Sequence, residues 1–131
     1  MYRLAEEQSV VGLVAADVEH VVDAKVPQDV SLSLAGSSLK LELQNKAMNG
    51  FVARLIEKLL KHGIYAILVK GQGVAQSYEK PLWRACGDVD LFLSDENYKK
   101  AKAVLTPLAS FAEDEYIYRK HLGLLIDSFV V

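Results

Sequence analysis

Two aspartates, Asp88 and Asp90, stand at the head of an otherwise apolar run, Gly87-Asp88-Val89-Asp90-Leu91-Phe92-Leu93. Aspartate is disfavoured inside strands, so a run that keeps two of them narrows what the chain can be. In a strand, successive side chains point to opposite faces. Asp88, Asp90 and Phe92 then share one face, and Val89, Leu91 and Leu93 share the other. The two aspartate Cα atoms would lie about 6.5–7 Å apart. At that spacing both carboxylates can converge on one hard cation such as Mg²⁺. The competing reading is turn chemistry at Gly87-Asp88, with Asp90 on a solvated edge.

A second apolar run, Ile64 to Val69, leads directly into Lys70-Gly71-Gln72-Gly73. A strand, a glycine turn and a helix together present backbone N–H groups to phosphate. Val74 to Tyr78 are expected to open that helix, and Lys70 adds a point charge beside the turn. Arg84 lies in a loop four residues before Asp88. There it either neutralises phosphate charge or pairs with a carboxylate.

At these residues the chain resembles the nucleotidyltransferase superfamily, whose best-known fold is that of DNA polymerase β. Within it, the likeness is to uncharacterised bacterial nucleotidyltransferase-like proteins. Their pattern is an apolar strand ending in Lys-Gly, a helix with a tyrosine, an arginine, then Gly-Asp-(Ile/Val)-Asp and an apolar run. Lys70-Gly71, Tyr78, Arg84 and Gly87-Asp88-Val89-Asp90-Leu91 meet it, over about Phe51 to Leu105 and more loosely in the N-terminal part. The resemblance implies an α+β fold: a nucleotidyltransferase-like mixed sheet with N-terminal helices packed on it. It implies Asp88 and Asp90 as catalytic metal ligands for Mg²⁺ or Mn²⁺. Lys70, Gly71, Gln72, Gly73 and Arg84 would surround the nucleotide, an NTP with ATP the first choice. The reaction implied moves a nucleoside monophosphate to an acceptor that the residues do not identify. Gln72 departs from the usual Gly-Ser or Gly-Gly, so the serine hydroxyl that often touches a triphosphate is absent.

The resemblance also implies a third carboxylate, the base toward the acceptor, on a later strand. In the family a pattern like Arg119-Lys120-His121 precedes a short hairpin, then a strand carrying a glutamate. Here the hairpin would be Leu124 to Val131, and that glutamate would fall just beyond Val131. The expectation is a shortened chain without the third carboxylate, with Asp127 the one late acid able to substitute. Phe129-Val130-Val131 would then be open to pairing with a second copy in a homodimer. Two other readings stay open. One is a non-catalytic nucleotide-binding or antitoxin-like module of the same fold. The other is a helical interaction protein in which residues 1–62 carry the function.

Composition bounds these readings. A chain of 131 residues suits a single domain, with a helical part over about 1–62 and an α/β core over about 63–131. At 51% hydrophobic residues it can bury a core, and its net charge of −2 offers no basic footprint for long nucleic acid. The lone Cys86 excludes an internal disulfide and fits a reducing compartment. No signal peptide and no apolar run near the roughly 20 residues of a membrane span can be found, so the cytoplasm is the expected location.

Along the chain, Tyr2 to Val22 reads as helix with Ser9 as a cap. Pro27 marks a break or a first helical turn. Asp29 to Gly36 fits helix or strand, with helix favoured, and Ser38 to His62 is clearly helical. Met48, Val52, Leu55, Ile56, Leu59 and Leu60 form its apolar stripe, and Gly63 is its C′ residue. His62 reads as a cap rather than a base, and Cys86 as inert packing. Ile64 to Val69 is a strand covered on both faces. A helix of about two turns follows Gly73 and stops at Pro81, and Trp83 belongs to core or rim. Ser94 caps a helix with Tyr98, Ala101, Leu105 and Leu108 inward and Lys99, Lys100 and Lys102 outward; Pro107 ends it. Phe111 to Glu115 reads as loop, Tyr116 to Leu122 as strand, and Asp127-Ser128 as a hairpin turn.

Overall fold

The computed structural model describes residues 2–23, 25–113 and 121–131. Its helices are α1 (Tyr2–Glu7), α2 (Val11–Val18), α3 (Gln28–Lys61), α4 (Gly71–Ala75) and α5 (Asp95–Leu105). Its strands are β1 (Ile67–Val69), β2 (Asp90–Phe92), β3 (Phe111–Ala112), β4 (Leu124–Ile126) and β5 (Phe129–Val130). The architecture is α+β. β1 and β2 form one antiparallel pair, and β3-β4-β5 an antiparallel sheet. An isolated parallel bridge outside the named strands joins Asp88 to Val130; the strand pairings among the described residues are antiparallel. The chain forms two compact units, Met1–Ala47 with Val74–Cys86, and Met48–Gly73 with Gly87–Val131. The division runs through α3, and the segment carrying Trp83 and Arg84 goes with the N-terminal helices.

In the first unit, Ala5, Val11, Ala15 and Leu34 are buried, with Tyr2, Val10, Val14, Val30 and Trp83 packed on them. Ser9 is not a cap. It adopts a φ of 56°, and Val10 is the N-cap of α2 with no side-chain hydrogen bond. Two short helices joined by a left-handed turn make up the segment that reads as mostly helical. Pro27 stands just ahead of α3 and accepts from the Ser31 N–H, and the ambiguous Asp29–Gly36 segment is helical. Asn45, only 1% exposed, faces inward from α3. Its amide donates to the Leu82 carbonyl at 2.8 Å and the Arg84 carbonyl at 2.7 Å. One side chain thereby holds the short 3-10 turn Pro81–Trp83 and the residue after it.

In the second unit, Met48, Phe51, Leu55 and Leu59 are the buried face of α3. Phe51, absent from the expected stripe, stacks on Phe129 of β5 with ring centres 4.8 Å apart. Leu60, placed in that stripe, is half exposed: its direction lies off the arc that Leu55 and Leu59 define. The helix ends as its sequence implies. Gly63 has a φ of +66°, Ile64 N–H reaches the Leu59 carbonyl and Gly63 N–H the Leu60 carbonyl. That pair of bonds is a Schellman closure. Leu59 and Ile64, each 1% exposed, supply its apolar contact, and His62 Nδ1 lies 2.8 Å from the Lys58 carbonyl.

Other expectations are corrected. β1 is three residues rather than six, and Tyr65 and Ile67 are largely exposed. The exposure of Tyr65 and Ile67 shows that a full apolar run does not mean cover on both faces. Phe111–Ala112 is a strand on β4 rather than loop. Leu108 is exposed in a 3-10 turn after α5 and does not share that helix's buried face. Ser94 caps α5, accepting from the Asn97 N–H. Asp127 and Ser128, with φ of 48° and 71°, make the two-residue turn between β4 and β5, since twin positive φ values match the strand twist. Of the expected strand over Tyr116 to Leu122, Tyr116 to Lys120 lie outside the described residues, and His121 and Leu122 belong to no named strand. Among the described residues no helix is long and apolar enough to cross a membrane.

Asn45 yields a direct test. Asn45→Ala leaves two partly buried carbonyls without their donor and should cost about 1–3 kcal/mol. Asn45→Asp should cost more, because its carboxylate would face two carbonyl oxygens. Equilibrium denaturation measures both; wild-type stability for Asn45→Ala would contradict this account.

Candidate active site

The turn after β1 is built around a backbone reversal at Lys70 and Gly71, with φ of 51° and 20°. For a lysine the left-handed conformation costs about 1 kcal/mol, and such strain concentrates at functional turns. α4 starts at Gly71, not after Gly73, and ends at Ala75, so it is shorter than the two turns expected. Gly73 is sterically required: a methyl group there would lie 2.8 Å from the Leu68 carbonyl oxygen. Gln72 is 3% exposed and its Nε2 lies 3.3 Å from the Met48 sulfur. Its side chain therefore packs against α3, which is how a bulky amide fits in this turn.

β2 lies antiparallel to β1 with Asp90 opposite Val69 and Leu91 opposite Leu68. That register sets Asp90 beside the first residue of the turn. Lys70 Nζ stands 3.4 Å from Asp90 Oδ1, with the lysine 76% and the aspartate 23% exposed. Asp88 precedes β2 and is exposed. Val89 between them is 2% exposed and donates its N–H to the Val130 carbonyl at 2.8 Å. The backbone of Asp88 adjoins the turn as well: a methyl group on Gly71 would lie 3.2 Å from the Asp88 carbonyl oxygen. Lys70, Gly71, Asp88 and Asp90 are thus brought together within one unit.

Among the described residues no group of three or more His, Cys, Asp or Glu is arranged to hold a metal ion. Two carboxylates still suit a hard cation that keeps several waters and takes further oxygens from phosphate, the usual habit of Mg²⁺. The Lys70 ammonium on Asp90 is itself a counter-cation at that position. Asp127 is in the β4–β5 turn.

Arg84 belongs to the other unit. Its Nη1 donates to Cys86 Sγ at 3.0 Å, and its guanidinium lies 5.8 Å from the Tyr78 ring centre. Burial works against its charge, but hydrogen bonds to Cys86 and Tyr78 outweigh that and raise its pKa. Trp83 is partly buried, with its indole N–H toward Glu42 at 3.5 Å. Sequence reasoning missed Asn45 and the inward role of Gln72. Asn45 stands three residues before Met48 on the apolar stripe, and a lone amide there is the signal of a buried clamp.

The model of the uncharacterised nucleotidyltransferase family matches residues 1–122. The chain belongs to that family. No curated protein and no solved structure matches it.

Because Asp88 is exposed and Asp90 shares its charge with Lys70, neither carboxylate should hold the fold. Asp88→Asn should leave the melting temperature unchanged or raise it, by relief of like-charge repulsion. Asp90→Asn should cost under about 1 kcal/mol, the value of an exposed ion pair. Calorimetric unfolding decides; a loss well above that for either variant would make the acids structural.

Proposed function

We propose that the Lys70–Gly73 turn and the Asp88–Asp90 pair bind a metal–nucleoside triphosphate and transfer its nucleoside monophosphate to an acceptor. The observation that supports this most is the β1–β2 register, which sets Asp90 beside Lys70, with the Asp88 carbonyl oxygen 3.2 Å from where a methyl group on Gly71 would lie. Membership of a nucleotidyltransferase family implies an NTP and a divalent cation in general; Mg²⁺ and ATP are our specific reading. Asp88 and Asp90 are the residues that would hold the cation. When bound, such a cation neutralises phosphate charge and stabilises the attacking and leaving oxygens of the displacement.

The remaining roles fall to the chain itself. Lys70 carries a side-chain cation beside the turn, and its exposed ammonium can exchange Asp90 for a phosphate oxygen. Gly71 and Gly73 keep the backbone side of the turn clear of side chains. Gln72 fixes the turn to α3 from below. The acceptor hydroxyl attacks the α-phosphorus, pyrophosphate departs, and the acceptor proton passes to a base.

The burial of Gln72, in place of a serine hydroxyl, favours a second reading: a module that binds a metal–nucleotide without turning it over. Isothermal titration with each of the four NTPs and Mg²⁺ tests what the two readings share. At least one NTP should bind only with metal, and Asp88→Asn should weaken it at least about tenfold. Equal heats for wild type and variant would overturn both. Sustained pyrophosphate release, lost in Asp88→Asn, selects the enzyme; binding without release selects the module.

A further inference from the structure

A groove lies between α2 and α3 in the first unit. Its volume is about 350 Å³, within the range of small-molecule sites. Ala15, Val18, Leu34 and Ala35 give it an apolar floor, and Trp83 stands at its edge. Ser38 lines it too and is 2% exposed. Its hydroxyl is buried without a hydrogen-bond partner among the described residues. A helical serine ordinarily bonds back to the carbonyl four residues earlier or faces water, and Ser38 does neither. An unpaired buried hydroxyl is costly, so it calls for an explanation.

The charges at the rim are already balanced. Lys46 donates to Glu42 at 2.5 Å and the Trp83 indole approaches it at 3.5 Å. Lys46 first, and then the indole, hold the Glu42 carboxyl below its usual range. Glu19 pairs with Lys80, whose ammonium sits 4.0 Å above the Trp83 ring. An ion entering the groove would have to break one of these pairs, whereas a neutral molecule would leave them intact.

We propose that this groove binds a small neutral molecule with an apolar body and one hydroxyl or carbonyl group that hydrogen-bonds to Ser38. The body removes the floor from water, and the polar group satisfies the orphan hydroxyl. The groove shares no residue with the Lys70–Gly73 turn or the aspartates, and the inference holds whether or not the chain binds nucleotide.

Trp83 is the single tryptophan of the chain, so its emission reports the groove directly. The probe is cyclohexanol, titrated into the full 131-residue chain, with cyclohexylammonium as the charged counterpart. Cyclohexanol should give a saturable change in Trp83 emission. Ser38→Ala should weaken it roughly two- to tenfold, the worth of one hydrogen bond, while Ser38→Thr, which keeps the hydroxyl, retains it. Ala35 is exposed, so Ala35→Phe should fill the groove and abolish the response while the far-UV circular dichroism stays native. Cyclohexylammonium should bind several-fold more weakly than cyclohexanol. The proposal is overturned by an unsaturable response, which would mean that water alone serves Ser38. Equal affinity in Ser38→Ala, or an undiminished response in Ala35→Phe, would overturn it as well.

Discussion

The candidate site rests on a ladder three residues long, the antiparallel pairing of Ile67–Val69 with Asp90–Phe92. Its register puts Asp90 opposite Val69, so the acid stands beside Lys70 where the backbone reverses. A slip of one residue would turn every side chain of β2 to the other face. Val89 would then point to solvent and the aspartates into the core. Val89 is 2% exposed and its N–H is tied to Val130, and both features oppose the slip. Each end of the ladder is anchored by burial rather than by strand length. Ile64, buried under the closed end of α3, fixes where β1 begins. Three opposed residue pairs alone could not do this, since a short two-stranded ribbon is marginal in water.

Local chemistry was legible in the sequence wherever one residue type dictates one conformation. Gly63 ends α3, Ser94 starts α5 and Asp127-Ser128 turns the β4–β5 hairpin, as their side chains and φ preferences require. The apolar face of α3 was legible in outline, at Met48, Leu55 and Leu59. Its edges were not. Phe51 is buried with Phe129 stacked on it, and Leu60 is half exposed, off the arc of Leu55 and Leu59. The first of these is set by a partner far away in sequence. For the same reason β1 reads as a long covered strand yet is short and half open: hydropathy records what a segment tolerates, and tertiary neighbours decide what it receives.

At the site, the aspartate spacing and the lysine–glycine turn could be picked out, but not how they meet. Gln72 appeared as a defect in a phosphate-binding pattern. In the structure it is a buried strut on Met48. Asn45 plays a similar part for the Pro81–Arg84 segment. Polar side chains on an apolar face carry this information in compressed form: a buried amide must be satisfied, so its presence announces a clamp without naming the partner.

The central claim is that Lys70–Gly73 and Asp88–Asp90 act as one metal–nucleotide site. Paramagnetic broadening of backbone amide resonances by Mn²⁺ with a nucleotide tests it most directly, because the effect falls off steeply with distance from the ion. The account predicts broadening centred on Gly71, Gly73, Val89 and Asp90, appearing only with both ligands and lost in Asp90→Asn. Broadening centred elsewhere in the chain, or unchanged in that variant, would contradict it.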